Sequence, residues 1–299
     1  MSIGSYSIIL TLIVILTTLS LCFLLPWLHA IYIWQMSTIK SSNNLSMSSS
    51  LSTPYIIHQT FRDMNSIPLN WQQASNSCRS LHPNYQYKFW SDKQGRDLIK
   101  QEFPSLLSTY DSYPYNIQRA DVIRLVVLYV YGGIYIDFDI FCLKSLDHLL
   151  KYEFILPKTS PVGLSNDIII SKPKHPFLFQ ILNNLPNANR YIFSKYPTVM
   201  FSTGPMFLTK EAWKYPNRSS LDILSPELYG KYIFNSSYSL FRHLKASSWH
   251  GNDASIIKWI YHWRNLILFV SILLLLFVIQ FIQQRYLISR RTNISNMKI

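Results

Sequence analysis

The sequence predicts an α/β sandwich flanked by two membrane-spanning helices. Three observations predict it. Strand-like and helix-like patterns alternate between Pro54 and His262, the signature of helices layered on a sheet. Long apolar runs lie near both ends of the 299-residue chain. A helix, a Gly-Gly turn and a buried strand lead into Asp137-Phe138-Asp139 at the centre.

Residues 8–33 are mostly apolar and carry no charge at neutral pH. The run exceeds the roughly 20 residues that a bilayer crossing needs. A cleaved signal peptide would carry a basic leader and a shorter apolar core, so the run reads as an uncleaved anchor. Pro26 is expected to kink it, which membrane helices tolerate. Residues 37–53 are rich in Ser and Asn and read as a solvated stem. A folded domain is expected over 54–262.

A second span is expected over 265–283. A buried core helix would have a similar composition, and the flanks favour a span. Trp259, Tyr261 and Trp263 precede the run, and Arg285, Tyr286, Arg290 and Arg291 follow it. Aromatic residues mark an interface, and basic residues favour the cytosolic side. Residues 284–299 then form a basic cytosolic tail, and the domain is luminal. Asn44, Asn217 and Asn235 each begin an N-x-S sequon on that side. Asn293 begins another in the tail.

Within the domain, Tyr55–His58, Tyr85–Trp90, Ile134–Ile136, Phe154–Leu156 and Asp167–Ile170 read as strands. Asn116–Tyr131 reads as a helix. Ile117, Ala120, Ile123, Leu125, Leu128 and Tyr129 recur at helical spacing, and Gly132-Gly133 stops the run.

The formal charge is +13, with the basic residues scattered and no nucleic-acid motif among them. That balance suits a membrane surface or phosphate-bearing substrates rather than nucleic acid. No Gly-x-Ser-x-Gly elbow, P-loop or Gly-x-Gly-x-x-Gly is present, so hydrolase and kinase readings lack support. Of three cysteines, Cys22 lies in the first apolar run. Cys78 and Cys142 are either a disulfide in an oxidising lumen or two separate thiols.

The chemistry concentrates between Arg119 and Asp139. A strand ending in Asp-x-Asp presents both carboxylates on one side, because strand side chains alternate. Two carboxylates with free coordination room suit a hard divalent ion, Mn2+ or Mg2+, which can grip a leaving diphosphate. Asp121 and Arg124 share a helix face. They are either an ordinary surface ion pair or part of the same site.

At these residues the sequence resembles a known family. Arg119-Ala120-Asp121, Arg124 and Tyr131-Gly132-Gly133-Ile134-Tyr135-x-Asp137-x-Asp139 are similar to the signature of DXD glycosyltransferases with the GT-A nucleotide-sugar fold. These include the yeast initiating α-1,6-mannosyltransferase and the mannosyltransferases of inositol phosphorylceramide. Ile57-His58-Gln59-Thr60, Trp90-Ser91-Asp92 and Ser202-Thr203-Gly204-Pro205 look like further family segments. Ser247 to Ala254, Ser-Ser-Trp-His-Gly-Asn-Asp-Ala, resembles the ending of the sphingolipid branch. The likeness covers about Pro54 to Phe281. Phe61-Arg62, Leu125 and Asn252 depart from the common pattern, and Asn252 removes a carboxylate from the last segment.

The resemblance implies roles. Asp139 would bind the metal directly. Asp137 would meet the sugar–ribose side of the donor, or the metal through water. Asp121 would bind the donor sugar or ribose, and Arg124 would steady it or the phosphates. His250 would complete the metal site, or pack with Trp249, which would otherwise cover the nucleotide or sugar. Asn166 and Asp167 would lie near the reacting sugar, or simply form a turn. His58, a histidine at a strand end, is expected to be structural and to brace the nucleotide pocket. The expected reaction is retaining transfer of a hexose, mannose from GDP-mannose, to inositol phosphorylceramide in the Golgi or ER membrane. A regulatory membrane subunit is compatible with it. One alternative uses another nucleotide sugar on an N-glycan or glycolipid. Another is a catalytically silent, membrane-anchored glycan- or lipid-binding protein.

Overall fold

The structure is a computed structural model that describes residues 53–159, 163–231, 237–244 and 251–263. It also describes residues 265–284 except 267, 268, 275, 278 and 282, and Val14 alone before residue 53. The chain divides into two units, Ile33–Asp253 and Met1–Tyr32 with Ala254–Ile299.

The larger unit is mixed α/β, as expected. Its strands are β1 (Ile56–Thr60), β2 (Gln86–Trp90), β3 (Gly133–Ile136), β4 (Ile140–Cys142), β5 (Phe154–Pro157), β6 (Ile168–Ser171), β7 (Asp222–Leu224) and β8 (Phe241–His243). Its helices are α1 (Leu69–Leu81), α2 (Asp92–Glu102), α3 (Leu107–Ser112), α4 (Asn116–Tyr131), α5 (Pro176–Ala188), α6 (Lys195–Ser202), α7 (Pro205–Lys214) and α8 (Pro226–Tyr229). A further helix, α9 (Asn252–His262), begins at the boundary between the units.

A six-stranded sheet runs β2-β1-β3-β6-β5-β7, and β4 pairs with β8 in a separate two-stranded ribbon. β1 is parallel to β2 and β3, whereas β6 is antiparallel to β3 and β5. The reversal between β3 and β6 decides the site. Ile136, the last residue of β3, pairs with Ile168, the first of β6. The residues after β3 and before β6 therefore meet at one edge.

α4 has the bounds that the spacing predicts. Val122, Ile123, Leu125, Val126, Val127 and Leu128 are all buried, so it packs on more than one side. Gln118 caps its start through the Tyr115 backbone. Gly132 ends it at φ +64, with its N–H bonded to Leu128 O at 2.9 Å. Gly133 then opens β3 at φ +103, where a Cβ would stand 2.6 Å from Ile56 O. Only glycine fits both the angle and the approach. This turn folds β3 back along α4 and brings Asp121 and Arg124 to the end of β3.

One expectation is corrected in detail, and one open alternative is decided. The Asp-Phe-Asp segment is not strand: β3 stops at Ile136, and the motif forms a turn into β4. The carboxylates are gathered by that turn, not by strand alternation. Cys78 and Cys142 are bonded, S–S 2.01 Å, which ties α1 to β4. Among the described residues no helix is long and apolar enough to cross a membrane. Residues 8–33 lie outside the described residues except Val14, and the described part of 265–283 is helical.

Candidate active site

The site lies where α4, the turn after β3, the start of β6 and the approach to α7 converge. Asp121 and Arg124 are buried, 2% and 6% exposed. Their ion pair measures 2.5 Å, so it is not a surface bridge. Arg124 also reaches Asp137 at 3.0 Å, and so joins the helix to the motif. Tyr135 donates to Asp137 at 2.7 Å. Asn166 Nδ2 and Thr203 Oγ1 donate to the two oxygens of Asp121, each at 2.8 Å. Gln118, one turn earlier on α4, donates to Ser202 at 2.7 Å and holds that loop in place.

Asp167 forms a second cluster. It accepts from Ser165 at 2.7 Å, from Tyr229 at 2.6 Å and from Lys231 at 2.8 Å. His243 lies 3.7 Å away, with its other ring nitrogen 3.0 Å from Tyr229 O. The two clusters touch through the backbone, where Asp137 N donates to Asp167 O at 2.9 Å.

The carboxylates differ in charge balance. Burial works to raise the Asp167 pKa, but Lys231, His243 and the hydroxyl of Tyr229 outweigh it and hold it well below the carboxylate range. Burial raises Asp137 to about 6, against the pull of Arg124 and with the repulsion of Asp167. Burial and the charges of Asp137 and Asp167 raise Asp139 to about 7. Asp121 is raised by burial, with Arg124, Thr203 and Asn166 opposing. Asp137 and Asp139 are therefore the carboxylates whose ionised form the protein compensates least. That is the electrostatic condition for holding a hard cation, so these oxygens fit a divalent metal. Among the described residues no group of three or more His, Cys, Asp or Glu forms a metal site. Further ligands would have to come from substrate oxygens, water or residues outside that set.

Of the predicted site residues, Asp121, Arg124, Asp137, Asp139, Asn166 and Asp167 fall in this region. His58 does not offer an atom to it. It is fully buried, with Nε2 2.8 Å from Gly132 O and Nδ1 accepting from Trp90 Nε1 at 3.0 Å. Burial, aided by Lys88, lowers its pKa to about 4 even though its bond to Gly132 opposes the shift. His58 braces the start of β3, at the opposite end from the motif. Trp249 and His250 lie outside the described residues. Sequence reasoning gave no role to Tyr229, Lys231 or His243, which lie far from the motif in sequence. Thr203 carried a signal, the Ser-Thr-Gly-Pro segment, but no assigned partner.

Comparison with known proteins agrees with this geometry. The family profile "Glycosyltransferase sugar-binding region containing DXD motif" matches residues 68–155. The chain is 43% identical over 240 residues to inositol phosphoceramide mannosyltransferase 3 of Schizosaccharomyces pombe, covering 78% of this chain and 66% of that protein. It is 41% identical over 244 residues to inositol phosphoceramide mannosyltransferase 1 of the same yeast, covering 80% and 75%. Among solved structures it is similar to the PaToxG glycosyltransferase, with 17% identity and a TM-score of 0.42 over 62% of this chain and 76% of that one. The chain thus spans just under two thirds of the first relative and three quarters of the second. It belongs to the inositol phosphoceramide mannosyltransferase family of DXD-containing glycosyltransferases.

Proposed function

We propose that the chain transfers mannose from GDP-mannose to the headgroup of inositol phosphoceramide, with a GT-A-type domain and retention of configuration. The observation that carries the reading is the cation-deficient pair Asp137 and Asp139 joined through Arg124 to buried Asp121. The names of the relatives supply the sugar and the acceptor.

Asp139 and Asp137 would hold Mn2+ or Mg2+, with His250 as a further ligand. A bound divalent ion would act as a Lewis acid on the departing diphosphate. Arg124 places a fixed positive charge beside the same position, in a buried setting where it needs little reorganisation. Asp121, fixed on both oxygens, is positioned to orient sugar or ribose hydroxyls. Asn166 is anchored to Asp121 and ties the start of β6 to the donor side.

Asp167 stays ionised, but Ser165, Tyr229 and Lys231 already engage both its oxygens. A carboxylate so engaged is a poor double-displacement nucleophile. That favours a front-face path in which the acceptor enters on the side from which the diphosphate leaves. Asp167 and Asn166 then act near the sugar by positioning it.

The reading places residues 54–262 on the luminal side of a Golgi or ER membrane, with spans at 8–33 and 265–283 and a cytosolic tail at 284–299. The Cys78–Cys142 disulfide supports an oxidising compartment. A donor screen tests the reading. Purified full chain is given inositol phosphoceramide in detergent and GDP-mannose, UDP-galactose or UDP-GlcNAc, with Mn2+ or EDTA. Lipid-linked mannose only with GDP-mannose and metal is expected. Preference for a UDP-sugar, or for a soluble glycan, would overturn the assignment of substrates. Full turnover in EDTA would overturn the role of the metal.

A further inference from the structure

Asn217 opens the triplet Asn217-Arg218-Ser219 in the link between α7 and β7. A glycan acceptor needs Ser or Thr two residues after the Asn and no proline between them, and the triplet meets both conditions. Such triplets also arise by chance. Exposure, local shape and place in the fold distinguish a used one from a chance one.

The link is pinned at both ends and open in the middle. Tyr215 and Leu221 are buried in the core, whereas Pro216, Asn217, Arg218 and Ser219 between them are exposed. A bulky polar group at Asn217 therefore displaces no packing.

Backbone and side chain of Asn217 do different things. Its carbonyl holds the turn: Ser220 N and Ser220 Oγ donate to Asn217 O at 3.1 and 2.8 Å, and Leu221 N donates to Arg218 O at 3.0 Å. An Asn kept for its turn alone bonds a backbone N–H two residues on with its side-chain oxygen. Here Asn217 Oδ1 instead accepts from the Ser219 hydroxyl at 2.8 Å. Among the described residues no hydrogen bond engages Asn217 Nδ2. A donor on the amide oxygen stabilises the charge that the amide gains when Nδ2 gives up a proton, and so prepares that nitrogen to act as a nucleophile.

The strand order says where the triplet lies. β7 is parallel to β5, with Asp222 opposite Ile155 and Leu224 opposite Pro157. β5 is antiparallel to β6, whose first residue, Ile168, stands at the carboxylate end of the sheet. β7 therefore starts at the opposite end, and Asn217 comes just before that start. A group attached there leaves the donor side open.

We infer that Asn217 is a modification site that carries an N-linked glycan. Its Nδ2 forms the bond to the anomeric carbon of an oligosaccharide carried on a lipid diphosphate. The bond from that carbon to the diphosphate oxygen breaks, and the lipid diphosphate leaves with the electron pair. The amide proton goes to a base of the transferring enzyme. The inference rests on the luminal placement in the proposed function, since acceptors of this kind are surface segments of proteins in the secretory route.

Full chain made in a eukaryotic secretory host tests it. The protein is treated with peptide N-glycosidase in heavy-oxygen water, and peptides spanning residue 217 are weighed. Sealed microsomes from the same cells are digested with protease from outside, which reports independently where the domain lies. The expected result is a protected domain in which Asn217 is converted to aspartate bearing heavy oxygen. Asn217→Gln and Ser219→Ala should each lose one glycan's mobility shift, and Ser219→Thr should keep it. A protected domain with Asn217 unmodified would overturn the inference and leave the proposed function standing. So would a glycan found only at Asn44 or Asn235. Digestion of the domain from outside would overturn the luminal placement, and the inference with it.

Discussion

The two ends of β3 are built on opposite principles. At its start, Gly132 and Gly133 meet His58, whose ring nitrogens are taken up by two neutral groups, Gly132 O and Trp90 Nε1. At its end, four residues later, Arg124 faces Asp121 and Asp137, and Asp139 adds a carboxylate that no described side chain neutralises by a hydrogen bond or ion pair. The first end satisfies its buried polar groups. The second leaves its carboxylates less compensated. One short strand thus carries a brace at one end and the proposed site at the other, and the charge balance distinguishes them.

Removing the cation that the acidic end does have should give the largest effect. Arg124→Met leaves Asp121 and Asp137 buried without their partner, which costs about 3–5 kcal/mol of stability for a broken buried pair. Denaturant unfolding should show this, together with loss of transfer. A variant as stable as the parent would mean that the network does not behave as a buried ion pair.

Asp139→Asn separates activity from stability. Turnover should fall about a hundredfold to a thousandfold, the scale set by losing one transition-state electrostatic group. The melting temperature without metal should hold or rise, since a repelled carboxylate is gone. A large fall in melting temperature with normal turnover would reverse the roles assigned to the two ends.

His58→Gln probes the brace. The folded pKa near 4 lies below the unfolded value of about 6.5, so the folded state takes up this proton less readily. The neutral ring's contribution is full above pH 6.5 and is lost as pH falls toward 4, a swing of about 3 kcal/mol. Unfolding free energies across that window should slope less in the variant. An identical slope would mean that another group, such as His175, carries the dependence.

Thr203→Val should have the smallest effect. Asp121 keeps Arg124 and Asn166 and loses one hydrogen bond, worth about 1.5 kcal/mol to a charged acceptor. The expected result is a roughly tenfold drop in kcat/KM for the donor with an unchanged fold. No drop would place Asp121 outside the donor's reach.

The acidic end was more legible in sequence than the brace. Asp121, Arg124, Asp137 and Asp139 lie within one helix–turn–strand unit, where local rules apply and the glycines mark the turn. The sequence marks His58 only as a structural histidine at a strand end that braces the nucleotide pocket. Its actual partners, Gly132 and Trp90, became neighbours only when β1 was placed between β2 and β3.

The sequence by itself determined α4 to the residue, the glycine turn and the grouping of carboxylates around it, because helical spacing and positive-φ glycines act over a few residues. Tertiary structure alone decided the state of each carboxylate. Tyr229, Lys231 and His243 reach Asp167 from β7 onward, through α8 and β8, and no local pattern connects them to it. Their arrival keeps Asp167 ionised and leaves Asp137 and Asp139 as the carboxylates compensated least. Charges interact through space and burial, so the same acidic residues become a brace or a cation site according to what the fold sets beside them.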